Sequence, residues 1–181
     1  MPHSLLGLCG ALRAASTNRL LLAEARRAYA PDTWQEGDLR LPLFDGDLEA
    51  AEGIPAGVAR LAAQIAAADG IVIATPEYNK SVPGVLKNAL DWVSRVKGAP
   101  WRDKPVAIMS AADGRAGGAR SQFALRLCLT PFRPRLIPGP EVMIGESGRA
   151  FGPDGRLIDA NSVRLLAELM AVLRAEIDRG A

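Results

Sequence analysis

The chain is poor in the residues that build metal and disulfide centres. Among its 181 residues are one histidine, His3, and two cysteines, Cys9 and Cys128. Zinc sites draw on clustered Cys and His, and this sequence holds no such cluster. Two cysteines this far apart give no disulfide framework, and both are expected to be buried, reduced thiols. His3 precedes the first apolar run, so a frayed terminus is its expected place. No apolar stretch approaches the ~20 residues that span a bilayer, and the first residues show neither the basic segment nor the cleavage site of a signal peptide. Lys and Arg form no tract and the formal net charge is only +2, which disfavours nucleic acid or a membrane surface as partner. Three sequence signatures are also missing: the GxSxG nucleophile elbow, the GxxxxGK[ST] P-loop, and a GxGxxG turn after the first strand. What is left is a cytoplasmic globular protein. Its length suits a single domain over 1–181, and its 49% hydrophobic content suffices for a sizeable core.

What is present alternates. Leu5 to Cys9 is a short apolar run and a candidate strand. Asn18 to Tyr29 carries apolar residues at helical spacing. Trp34 to Leu41 is a charged, weaker strand, and Pro42 to Pro55 is a loop rich in Asp and Gly. Val58 to Ala68 is an Ala-rich helix, and Gly70 to Thr75 a buried strand. Val82 to Val96 is a helix with Ser81 as the expected N-cap and Pro83 in its first turn. Lys104 to Ser110 is the next strand, a Gly-rich stretch leads to a helix over 119–129, Glu141 to Ile144 is a last short strand, and Asn161 to Ile177 is an amphipathic helix. Five βα units of this kind predict a parallel sheet with helices on both faces. The continuous apolar character of the central strands agrees, since such strands are covered on both sides.

Sheets of this class bind ligands beyond the carboxyl ends of their strands, which singles out three loops. In the first, residues 10–18, Gly10 permits close backbone approach, Ser16, Thr17 and Asn18 offer neutral donors, and Arg13 a charged fork at a helix N-terminus. A cradle for a terminal monophosphate fits this set; so does an ordinary helix cap beside a solvated arginine. The second loop, Pro76 to Ser81, contains Tyr78, able to pack on a planar ligand, and amides able to meet the edge of a heteroaromatic ring. Ordinary turn roles for its Pro, Asn and Ser are the alternative. The third, AADGRAGG (111–118), is Gly-rich and ambiguous by itself.

Taken together, GALRAASTN (10–18) and PEYNKSVPGVLKNALDW (76–92) resemble the NADPH-dependent FMN reductase family, which includes bacterial quinone and chromate reductases. That family's pattern is roughly G-S-x-R-x-x-S-x-N, then P-E-Y-N-x-S-x-P-G-x-L-K-N-A-x-D-W. Leu125-Arg126 and DGRL at Asp154 to Leu157 extend the likeness over essentially the whole chain. The resemblance implies a flavodoxin-like, doubly wound five-stranded parallel sheet of order 2-1-3-4-5, with FMN at the switch point. It implies that Arg13, Ser16 and Asn18 hold the phosphate. Pro76, Glu77, Tyr78 and Asn79 would lie along the isoalloxazine ring, with Ser110 and Gly114 on its other side. Ala11 stands where the family usually has Ser, so one phosphate donor is missing and weaker FMN binding is expected.

The activity implied is that of an NAD(P)H-dependent FMN or quinone reductase. NADPH or NADH gives a hydride to bound FMN, and a quinone-like or other small acceptor then takes the electrons. No side chain is required as a general acid. The alternatives are a reductase that supplies reduced flavin to a partner, a flavodoxin-like electron carrier, and a flavin-binding subunit without turnover. Carriers of that kind are strongly acidic, and this chain is not. Arg115 is expected to be a solvated loop residue rather than a contact for the 2′-phosphate of NADPH. The resemblance also implies a homodimer or homotetramer. Trp92 and Trp101 together are expected to exceed the room in the core, which would put the helix over 82–96 in that interface.

Overall fold

The computed structural model describes residues 2–180. Strands β1 (Ser4–Cys9), β2 (Thr33–Gly37), β3 (Gly70–Ala74), β4 (Pro105–Ala111), β5 (Arg135–Leu136) and β6 (Val142–Ile144) alternate with helices α1 (Thr17–Tyr29), α2 (Gly46–Glu52), α3 (Ala56–Ala67), α4 (Gly84–Val93), α5 (Ala119–Leu129) and α6 (Ala160–Arg179). The sheet runs β2-β1-β3-β4-β5, with β6 also on β4, and every pairing is parallel. The expected 2-1-3-4-5 order is therefore found. Its last position is filled by two short pieces rather than one strand. Pro138, Gly139 and Pro140 separate them, and proline has no N–H for a ladder.

Side chains alternate across the sheet, as the pleat requires. Leu5, Val72, Ala74, Ala107 and Met109 pack against α1 and α6. Leu6, Leu8, Ile71, Ile73, Val106 and Ile108 pack against α3, α4 and α5. Burying both faces is why β1, β3 and β4 read as unbroken apolar runs.

Local chemistry moves several boundaries. β2 ends at Gly37, where a Cβ would come within 2.5 Å of Leu8 Cδ2 and 2.8 Å of Leu61 Cδ1. The stretch read as a loop over 42–55 contains α2. This helix buries no residue and is nucleated by its cap, with the Asp47 N–H donating to Asp45, so it has no apolar periodicity to betray it. α4 starts at Gly84 behind Pro83 and has no side-chain cap. Ser81 is occupied elsewhere, paired through its backbone with Tyr78.

Two tryptophans and the histidine are placed differently from expectation. Trp92 is 0% and Trp101 2% exposed, so the core has room for both. The Trp92 indole donates to the Pro42 carbonyl at 2.8 Å and stands edge-on to Phe44. Trp101 packs edge-on to Phe132. His3 is not frayed: it is 4% exposed, its Nδ1 lies 2.6 Å from the Tyr29 hydroxyl, and its Nε2 lies 3.1 Å from Asp178. It ties the start of β1 to α1 and α6. Burial pushes the Tyr29 phenol up to about 12, against the opposing pull of Arg174. Cys9 is buried, Cys128 half-buried, and both are free thiols. Burial raises the Cys9 thiol, which keeps it protonated and unreactive near neutrality.

Candidate functional site

Register brings the carboxyl ends of the strands level, because Cys9 pairs with Ala74, Ala74 with Met109, and Met109 with Val142. β1 and β3 are sheet neighbours whose chain connections run in opposite directions, the switch point at which such sheets open a crevice. A cleft of about 720 Å³ lies there, lined from the loops after β1, β3, β4 and β6. That volume falls within the ~300–1,000 Å³ typical of cofactor sites.

One wall is the N-terminus of α1. Ser16 caps the helix, its oxygen accepting from the Asn18 N–H, and the residue lines the cleft. The first turn has no acidic residue, so no side chain of the helix itself offsets its positive end. Arg13 lines the same wall. Its guanidinium contacts the Ala15 carbonyl at 3.1 Å and has no carboxylate partner among the described residues. Gly10 lets the loops approach: a Cβ there would come within 3.0 Å of Pro76 Cδ and 3.2 Å of Pro83 Cγ.

The opposite side comes from the loops after β3 and β4. Pro76, Glu77 and Tyr78 line the cleft. The tip is a two-residue turn. Tyr78 and Ser81 exchange backbone hydrogen bonds of 3.1 and 3.0 Å, while Asn79 and Lys80 both take positive φ, as a tight hairpin turn needs. Tyr78 is left 51% exposed. Glu77 accepts from the Arg120 N–H at 3.1 Å and from its guanidinium at 3.2 Å, which fastens this loop to the start of α5. Gly114, Gly117 and Gly118 form the floor beside them. Gly117 has φ +58, and a Cβ there would sit 2.5 Å from the Met143 carbonyl carbon.

The cleft thus gathers Arg13, Ser16, Asn18, Pro76, Glu77, Tyr78 and Gly114. It does not gather Asn79 or Ser110. Asn79 is the turn residue just described. Ser110 is fully buried: its hydroxyl donates to the Gly117 carbonyl at 2.5 Å and accepts from Gln122 at 2.8 Å. It shapes the glycine floor from behind. Asn18 lines the cleft, and its amide is engaged with the backbone. It donates to the Ala111 carbonyl at 2.8 Å and accepts from the Ala111 N–H at 3.0 Å, pinning α1 to the end of β4. Ala11 does not line the cleft; it is buried against the core. Arg115 is exposed and also lies outside the lining. Thr17, read from the sequence as a neutral donor, also lines the cleft, as do Asp113, Gly117, Gly118, Arg120, Ser147 and Gly148, which the sequence reading does not single out individually as ligands. Ser147 and Gly148 come from the loop after β6, a fourth loop to which the carboxyl-end rule applies equally.

The residues present fit an anion joined to a flat ring. One end offers the Arg13 guanidinium, without a carboxylate partner among the described residues, beside a helix N-terminus; the other offers a half-exposed aromatic and a stretch of wall built on three glycines. Fold and cleft together define an α/β protein of the flavodoxin-like class with a switch-point cofactor site. The family model for NADPH-dependent FMN reductase matches residues 4–149, and the chain belongs to that family. Membership makes it an oxidoreductase that uses FMN and NAD(P)H.

An NAD(P)H-dependent FMN reductase of Pseudomonas aeruginosa is 41% identical over 176 residues, covering 96% of this chain and 95% of that one. A quinone reductase of Escherichia coli is 42% identical over 161 residues, covering 86% and 85%. Among solved structures, FerB, a flavoenzyme NAD(P)H:(acceptor) oxidoreductase from Paracoccus denitrificans, superposes with a TM-score of 0.87 at 28% identity, covering 98% of each chain. No helix among the described residues is long and apolar enough to cross a membrane.

Proposed function

We propose that the chain acts as one FMN-binding domain over 1–181, a cytoplasmic NAD(P)H-dependent reductase whose acceptor is a quinone-like small molecule. The observation that carries this reading is Arg13, without a carboxylate partner among the described residues, beside the N-terminus of α1 in a switch-point cleft. Bound there, FMN would supply the redox chemistry between nicotinamide and acceptor. The chain's own residues bind and orient. Arg13 and Ser16 hold the phosphate, with Asn18 keeping the helix end in place. Pro76, Glu77 and Tyr78 border the ring, with Gly114 facing them. Ser110 and Asn79 act indirectly, the first by fixing the Gly117 carbonyl, the second by closing the turn. Glu77 is engaged with Arg120, and no side chain at the site is needed as a proton donor.

The cleft is open at Tyr78, so donor and acceptor use the same approach in turn. Kinetics should then be ping-pong: double-reciprocal plots of NADPH against quinone give parallel lines, with FMN retained through gel filtration. The name of the Pseudomonas relative favours a second reading, in which FMN is itself a dissociable substrate. Intersecting lines and loss of flavin on the column would select that reading over ours.

The assembly proposed is a homodimer or homotetramer. Its support is no longer the tryptophans but exposed apolar side chains, Phe123 and Leu127 one turn apart on α5 and Leu43 near α4. Light scattering at micromolar concentration should give at least twice the 19.2 kDa chain mass, and a monomer would refute it.

A further inference from the structure

Two carboxylates, Glu77 and Asp113, line a cleft otherwise arranged for an anion. Among the described residues no cation pairs with Asp113, unlike Glu77. Asp113 is held through a relay of hydroxyls. The Ser147 hydroxyl donates to Asp113 Oδ1 at 2.9 Å, and the Thr17 hydroxyl donates to Ser147 at 3.2 Å. Ser147 is itself buried, and its N–H donates to the Ala112 carbonyl at 3.2 Å, so the relay is built into the fold. It crosses three loops and begins at the first residue of α1, next to the phosphate end.

An ionised carboxylate only accepts hydrogen bonds, and it repels phosphate. With Ser147 occupying one lone pair of Oδ1, its remaining lone pairs are available to donors brought by a ligand. We infer that Asp113, positioned by Ser147, accepts hydrogen bonds from ligand hydroxyls and selects the polyol chain that joins the phosphate to the ring of FMN. This inference rests on the flavin reading above. Ribose hydroxyls of the nicotinamide cofactor share the same chemistry, but the relay starts at Thr17, beside the phosphate site, and that places it against the flavin's own chain.

The test uses full-length apo-protein titrated with FMN, riboflavin and lumiflavin, which has the ring but no polyol. Asp113→Ala should weaken FMN and riboflavin about ten- to a hundredfold, the range of a lost charge-assisted hydrogen bond, and leave lumiflavin unchanged. Ser147→Ala, which keeps the carboxylate but frees it, should cause a smaller loss for the same two ligands. Equal weakening of all three, unchanged riboflavin, or tighter FMN alone would overturn the assignment. A raised KM for NADPH with unchanged flavin affinity would move the hydroxyls to the nucleotide and overturn it too. Failure of the wild-type protein to bind any of the three would instead refute the flavin reading itself.

Discussion

Asn18→Ala is expected to lower stability by about 2–4 kcal/mol and to weaken every flavin ligand together. The side chain is 1% exposed and satisfies both backbone groups of Ala111. Removing it strands a buried N–H and a buried C=O, each at a cost of ~1–3 kcal/mol. For a chain of this size each kcal/mol lost lowers Tm by ~2–4 °C, so the loss should be plain in a thermal melt. Asn18→Asp recovers only half the pair, because a carboxylate accepts from the Ala111 N–H but faces the Ala111 carbonyl without a proton to give; it should be nearly as damaging. Binding separates this role from direct phosphate contact. Losing a brace between α1 and β4 shifts the whole wall, so FMN and riboflavin affinities should fall in parallel. A loss confined to FMN, with the melt unchanged, would return Asn18 to the phosphate.

The features legible in the sequence were those set by burial on two faces. β1, β3 and β4 announced themselves as apolar runs, and the loop rule with residue chemistry then pointed to Arg13, Ser16, Thr17, Asn18 and Tyr78; Pro76, Glu77 and Gly114 came only with the family resemblance. What escaped depends on partners distant in the chain. Ser110 looks like a loop-edge hydroxyl, yet the strand continues to Ala111 and turns it inward toward Gln122 and Gly117. Ser81 has the chemistry of a cap, but the Asn79-Lys80 turn claims it first. Ser147 meets Thr17 across 130 positions, and no local pattern encodes that meeting. The tryptophans were misplaced because room in a core is a property of three-dimensional packing: Pro42 and Phe44, from the segment before α2, supply the polar and aromatic partners that let Trp92 stay inside.

The central claim is that this cleft holds FMN by its phosphate, with Arg13 as the charged anchor. Arg13 lines the wall at the end of the cleft where α1 begins. Among the described residues it has no carboxylate partner, so its guanidinium is available for a phosphate. A charge-assisted hydrogen bond is worth roughly 1.5–3 kcal/mol, and ~1.4 kcal/mol is a decade in affinity. The most direct measurement is a pair of titrations of apo-protein, FMN and riboflavin each against wild type and Arg13→Ala. Arg13→Ala should bind FMN about ten- to a hundredfold more weakly and riboflavin almost as well as wild type does. Equal FMN affinity in the two proteins would contradict the account.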